Sequence, residues 1–315
     1  MTMSKIIFGI DVGGTTCKCG TFSEEGELLR KEEIPTRKDE GGSLILPDIS
    51  EYIKGVLADM NMTTEDVAGI GMGLPGACLE DGTVNKCINL GWGVFNAANA
   101  LSELTGIPVK IGNDANMAAL GEFWVGGGSE YNSMVMVTIG TGVGGGVIID
   151  GKPLYGFNGA AGEIGHLPLV EGETESCNCG KKGCLEQVAS ATGIVRTANR
   201  MLAESDMPSS LRSVPYISAK VIFDEAKGGD ALAIQVTEYV CRYLGKGLAC
   251  AAGMVDPEVF VIGGGVSKAG EVLLSFIEKP FMEKAFFANK NVKFKLATLG
   301  NDAGICGAAK LVLED

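Results

Sequence analysis

The stretch Ile6-Ile7-Phe8-Gly9-Ile10-Asp11-Val12-Gly13-Gly14-Thr15-Thr16 is an apolar run that breaks on an acid and two glycines, and a second apolar-rich segment follows to Phe22. Such runs on either side of a Gly-Gly turn read as a strand, a hairpin and a returning strand, with Leu28 to Ile34 as a third strand. The pattern recurs at Met134-Val135-Met136-Val137-Thr138-Ile139, which leads into Gly140-Thr141-Gly142-Val143-Gly144-Gly145-Gly146 and a returning strand at Val147 to Ile149. Two copies of one strand-turn-strand unit predict an internal duplication, and so an α/β chain of two related domains with an interdomain cleft suited to ligands.

Working outward, Ser43 to Met60 predicts a helix, Val67 to Gly71 a strand running into Gly73-Leu74-Pro75-Gly76, and Ile107 to Gly112 a strand ending on Asn113-Asp114. A helix starts there, capped by Asn113 or Asp114, with Met117, Leu120 and Trp124 on one face. Beyond the duplication come a Cys-rich loop, helices near Glu186 to Leu202 and Ala231 to Gly253, a strand at Val259 to Ile262, a helix from about Glu271, a strand at Lys293 to Leu299 and a short terminal helix. These elements place a small α/β domain at 1–112, completed by the C-terminal helix at about 301–315, and a large α/β domain at 113–300 that carries the loop 166–184.

The chain has 315 residues, more than one hydrophobic core efficiently serves. With 26 Lys and Arg against 39 Asp and Glu the net charge is −13, which repels a phosphate backbone and argues against a nucleic-acid partner. No window is apolar for long enough to span a bilayer and the first residues lack a signal-peptide cleavage region, so a cytoplasmic chain without a membrane partner is expected. There are 10 Cys, which in a reducing compartment serve metal binding or burial rather than disulfides. Cys17, Cys19, Cys78, Cys87, Cys241, Cys250 and Cys306 are expected to be small core hydrophobes.

Asp11-Val12-Gly13-Gly14-Thr15-Thr16 has two readings, an ordinary hairpin with an acid at its edge or a turn aiming N–H and hydroxyl donors at a phosphate. A second such turn at Thr138 to Gly146, in the same context, favours a pair that grips a polyphosphate from both sides. Neither matches the Walker or dinucleotide fingerprints. Ile262-Gly263-Gly264-Gly265-Val266-Ser267 is either a nucleoside-facing loop or plain helix–strand packing. Asp114 is the candidate general base, since transfer of a phosphoryl group to a hydroxyl needs a carboxylate within reach of that hydroxyl; its plainer role is a helix cap.

His166, the single His of the chain, precedes Cys177-Asn178-Cys179-Gly180-Lys181-Lys182-Gly183-Cys184. One imidazole and three thiols so close together suit tetrahedral zinc, and because all four positions are filled by the protein the ion is structural. A redox pair is the competing use of such thiols. Glu163 and Glu186 flank this loop, either as acceptors for sugar hydroxyls or as solvated loop charges.

Together these residues resemble the ROK family of sugar kinases and repressors, specifically its bacterial zinc-containing glucokinases. The likeness covers Asp11 to Lys18, the Gly73 to Gly76 turn, Asn89-Leu90-Gly91-Trp92, Asn113 to Glu122, Thr138 to Gly146, Gly162 to His166, Cys177 to Glu186 and Ile262 to Ser267. It implies an actin-like, hexokinase-type fold of duplicated ribonuclease H-like domains that close on MgATP and sugar. It implies Asp114 as the base for the sugar 6-hydroxyl, and Asn89, Asn113, Glu163, His166 and Glu186 as holders of the sugar. His166, Cys177, Cys179 and Cys184 are implied as the zinc ligands. Asp11 is implied near magnesium, Gly13, Gly14, Thr15, Thr141 and Gly142 near the phosphates, and Gly264 and Gly265 near the adenosine. It also implies a homodimer or homotetramer. Since the first core strand begins by Ile6, leaving no room for the repressors' DNA-binding module, an enzyme is expected. Kinases for mannose, N-acetylmannosamine or N-acetylglucosamine, and a sugar-binding regulator without turnover, are the alternatives.

Overall fold

The computed structural model describes residues 5–314. By its internal contacts the chain forms two units, Met1–Glu130 with Gly146–Gly162 and Leu299–Asp315, and Tyr131–Gly145 with Glu163–Thr298.

In the first unit, β1 (Ile6–Val12), β2 (Thr16–Ser23) and β3 (Leu28–Pro35) form an antiparallel meander. After a short turn α1 (Asp39–Gly42) and helix α2 (Ile45–Met60), strand β4 (Val67–Leu74) pairs parallel with β1. A small hairpin, β5 (Thr83–Cys87) and β6 (Trp92–Asn96), leads into α3 (Ala97–Thr105) and then β7 (Val109–Asn113), which pairs parallel with β4. The sheet order is β3-β2-β1-β4-β7. Its core is Phe8, Ile10, Ile49, Ile53, Ile70 and Met72, all fully buried. Helix α4 (Asp114–Val125) follows β7 directly.

In the second sheet β8 (Met134–Ile139) lies between β9 (Val143–Ile149), whose residues from Gly146 on belong to the first unit, and β11 (Val259–Gly263), with β12 (Lys293–Leu296) beyond, β8, β11 and β12 running parallel. The order β9-β8-β11-β12 repeats β2-β1-β4-β7, so the duplication read from the sequence is present in the strand topology. The last residues of β9 pair antiparallel with β10 (Lys152–Pro153) in the first unit. Helices α5 (Glu186–Ala189), α6 (Ala191–Glu204), α7 (Ala219–Lys227), α8 (Ala231–Val255) and α9 (Glu271–Lys284) belong to the second unit, and α10 (Ala303–Val312) to the first.

Several elements differ from the sequence reading. The glycine run 140–146 is not all turn: β9 begins at Val143, and Gly146 faces Ala119 and the Ala115 carbonyl so closely that a Cβ would stand 2.6 Å from the Ala119 Cβ. The expected helix from Glu186 to Leu202 is broken at Ser190, whose side chain accepts from Gly193 N and caps α6. The hairpin β5–β6 replaces an unassigned stretch. Cys250 is exposed on α8 rather than buried, while the other six cysteines assigned to the core are buried. Residues 113–130 fall in the first unit, because α4 packs on α10, where a Cβ at Gly121 would stand 2.2 Å from the Ala303 carbonyl oxygen. Glu122 on that helix is fully buried and accepts from Gly127 N at 2.8 Å and Leu299 N at 2.7 Å, tying two chain segments to α4. Among the described residues no helix is long and apolar enough to cross a membrane.

Candidate active site and metal centre

In the first unit the site residues lie at the carboxyl ends of neighbouring parallel strands, the end of an α/β sheet where ligands bind. Asp11 of β1 pairs with Gly73 of β4, which pairs with Gly112 of β7, so the acid, the Gly73 to Gly76 turn and Asn113-Asp114 share one edge. Asp11 also stands opposite Lys18 in the β1–β2 register, with Lys18 Nζ 3.8 Å from its Oδ2. Burial pushes the Asp11 carboxyl above the usual carboxylate range and Lys18 opposes that shift. Gly13 N donates to Thr16 O at 3.0 Å and closes the turn, leaving Gly14 and Thr15 exposed at its tip.

Asn113 caps α4, its side chain accepting from Ala115 N at 2.9 Å and Asn116 N at 3.3 Å. Its Nδ2 donates to Gly76 O at 3.1 Å, which binds the helix start to the turn. Asp114 is exposed, with Oδ1 accepting from Ala115 N at 2.8 Å. Asn89 sits exposed in a short helical turn, Ile88–Leu90, of the β5–β6 hairpin. That hairpin is held against the same region by Cys87, whose thiol donates to Pro75 O at 3.0 Å.

In the second unit the Gly-rich turns and the Cys-rich loop come together. Gly264, at φ +82°, lies against the end of β8, where a Cβ would stand 2.5 Å from Ile139 O; only glycine takes this conformation at this distance. Gly264 and Gly265 are both exposed. The start of α6 docks on the turn through Ala191 N to Gly140 O at 2.8 Å and Thr192 Oγ1 to Thr141 O at 3.0 Å. Glu186 Oε2 approaches the same turn, 2.8 Å from where a Cβ of Gly142 would be. Thr141, Gly142, Cys177, Glu186 and Thr192 line an open pocket of about 290 Å³.

The candidate metal ligands of His166, Cys177, Cys179 and Cys184 lie within 4.8 Å of one another. His166 Nδ1 is 3.7 Å from Cys177 Sγ, and Cys179 Sγ is 3.5 Å from Cys184 Sγ. Tetrahedral zinc with ordinary bond lengths sets such atoms about 3.5–3.8 Å apart, so these two pairs stand at ligand spacing and the donor set suits the ion's chemistry. Burial pushes the Cys177 and Cys184 thiols up, whereas Cys179, exposed, is held down by the Lys181 backbone N–H. Glu163 Oε2 lies 3.8 Å from His166 Nε2, so both flanking carboxylates meet the imidazole.

Sequence reasoning passed over three side chains that the structure brings to these places: Lys18 opposite Asp11, and Gln187 and Arg196 around the Cys-rich loop. Lys18 was discoverable from hairpin register, since the residue opposite Asp11 follows once the turn is set. Arg196 lies on a separate helix and left no local signal.

The duplicated sheets define the actin-like, hexokinase-type class of α/β folds. The chain belongs to the ROK family, whose model it matches over residues 7–315. It is 43% identical over 311 residues to a glucokinase of Halalkalibacterium halodurans, covering 97% of this chain and 94% of that one. The crystal structure of a ROK family glucokinase from Streptomyces griseus in complex with glucose and AMPPNP is 33% identical, with a TM-score of 0.74 and coverage of 97% and 98%. The ROK hexokinase from Thermus thermophilus is 31% identical, with a TM-score of 0.80 and coverage of 96% of each chain.

Proposed function

We propose that this chain is a cytosolic, ATP-dependent glucokinase that phosphorylates the 6-hydroxyl of glucose, with Asp114 as general base. The reading is carried by the division of labour at the start of α4, where Asn113 makes the cap and Asp114 remains an exposed carboxylate at the carboxyl end of β7. Kinship to glucokinases across nearly the whole chain supports the substrate.

In this reaction Asp114 accepts the proton of the 6-hydroxyl as that oxygen bonds to the γ-phosphorus, the bond to the ADP oxygen breaks, and the proton leaves to solvent from Asp114. Asn89, Asn113, Glu163, His166 and Glu186 hydrogen-bond the sugar hydroxyls. A site built from such acceptors rejects sugars lacking those hydroxyls. Gly14, Thr15, Thr141 and Gly142 donate to the phosphates of ATP, Gly13 closes the turn that presents the first two of them, and Gly264 and Gly265 border the adenosine. Asp11 would hold magnesium, which when bound neutralises phosphate charge. His166, Cys177, Cys179 and Cys184 would hold a structural zinc, which orders a loop of mostly exposed residues. A homodimer or homotetramer without nucleic acid is the working assembly.

A coupled ADP-release assay over glucose, mannose, N-acetylmannosamine and N-acetylglucosamine tests the proposal. Glucose is expected to give the highest kcat/KM. A higher value for another of these sugars reassigns the substrate, and no turnover on any of them defeats the kinase reading.

A further inference from the structure

Two side chains outside the ligand set close the ends of the zinc loop. Gln187 Oε1 accepts from Gly183 N at 2.9 Å and Cys184 N at 3.1 Å, while Nε2 donates to Glu175 O at 3.0 Å. The orientation of this amide follows from its partners, because turning it over would set N–H against N–H and oxygen against oxygen. One side chain thus grips both the last thiol ligand and the residue two places before the first. Arg196, from α6, reaches the same segment: its guanidinium bonds Glu175 Oε2 at 2.5 Å, Glu173 Oε2, and the Gln187 carbonyl at 2.9 Å.

The need for such anchors follows from the loop itself. Cys177 and Cys184 are buried, but Cys179 and the rest of the turn Asn178 to Lys182 are exposed, so packing alone does not hold the three thiols at ligand spacing. Outer residues that hydrogen-bond the ligand-bearing backbone then set the geometry a metal meets. Gln187 also directly follows Glu186, so what anchors Gln187 holds the backbone from which the carboxylate assigned to the sugar extends.

We infer that Gln187 is a positioning residue of the zinc centre, holding the Cys177 and Cys184 ends of the loop at ligand spacing, with Arg196 fixing Gln187 in turn. The inference rests on the zinc-bearing kinase reading above and adds to it an outer shell and a link from metal to hexose.

The test uses full-length, zinc-loaded protein, with zinc affinity measured by competition against a chromogenic chelator and hexose kinetics measured alongside. Gln187→Leu is expected to weaken zinc about ten- to hundredfold, the usual effect of losing an outer-shell partner. It is also expected to raise the hexose KM more than it lowers kcat. Gln187→Met, which keeps the length of the side chain, carries the same expectation. Gln187→Glu keeps the two bonds to Gly183 N and Cys184 N, and recovers part of the affinity. Arg196→Lys gives a smaller loss in the same direction. Wild-type zinc affinity in Gln187→Leu and Gln187→Met, with or without a lower melting temperature, overturns the inference, because a packing role alone leaves zinc binding untouched. Wild-type protein that holds no zinc defeats the metal reading itself. Zinc weakened by these variants in a protein without kinase turnover defeats the kinase reading and leaves the positioning role standing.

Discussion

Cys177 Sγ lies 2.8 Å from Glu186 Oε1, and His166 Nδ1 is 3.8 Å from the same oxygen. Two members of the metal set therefore touch a carboxylate assigned to the sugar, so the order of the loop sets the position of Glu186.

Loss of one thiol should therefore be felt at the sugar. Cys179→Ser is expected to release zinc and to raise the hexose KM about tenfold or more, as for disturbed metal shells. Metal analysis with steady-state kinetics checks it; one zinc per chain with an unchanged KM contradicts it. Prolonged chelation of the wild type is expected to reproduce the defect, and added zinc to reverse it.

Asp114→Asn keeps the shape of the side chain and removes its basicity. Because Asn113 carries the cap, folding should survive. The expected fall in kcat is at least about a hundredfold, the lower range for a lost general base. Hexose binding by calorimetry should persist. Turnover near the wild-type value would remove Asp114 from the mechanism.

Gly71 lies on β4 under α10, and a Cβ there would stand 1.6 Å from Ala308 O, a backbone atom that cannot rotate away. Gly71→Ala is expected to destabilise the protein by about 3 kcal/mol, the upper range for overpacking. Gly93→Ala, with nothing within 4 Å of its Cβ, should change stability by less than about 0.5 kcal/mol. Urea unfolding of the pair checks both; equal midpoints would show that α10 does not press on the sheet.

Asp230 caps α8 by accepting from Ala233 N at 2.8 Å, and it also accepts from Ser210 N at 2.7 Å and the Ser209 hydroxyl at 3.0 Å. Partial burial pushes its carboxyl up, but these donors outweigh burial and hold it below the usual range. A depressed folded-state pKa stabilises fully above the unfolded value of about 3.9 and less as pH falls through the folded value. Asp230→Ala is thus expected to cost about 1–2 kcal/mol at neutral pH. The gap to wild type should narrow below about pH 4. Thermal melts between neutral pH and pH 3 test this, and a gap independent of pH contradicts the charge assignment.

Much of the site was legible because its signals are local. Gly13-Gly14 and Thr141-Gly142 sit at strand ends, where apolar runs give way to glycine, and a His with three Cys inside nineteen residues marks a metal loop without any fold. The break at Ser190 and the exposure of Cys250 were not legible. Helical spacing continues through the first, and the second depends on which face of α8 meets the core.

The sequence by itself determined the duplicated strand-turn-strand plan, the acid and glycines at the turns, and the candidate ligand set of the loop, since each is written in residues a few positions apart. Tertiary structure alone decided that Asn113 rather than Asp114 caps α4, that Glu122 ties Gly127 to Leu299, and that Arg196 reaches back to Glu173 and Glu175. Those relations depend on strand register and on helices packing over long separations in sequence. Local patterns carry no record of such distances.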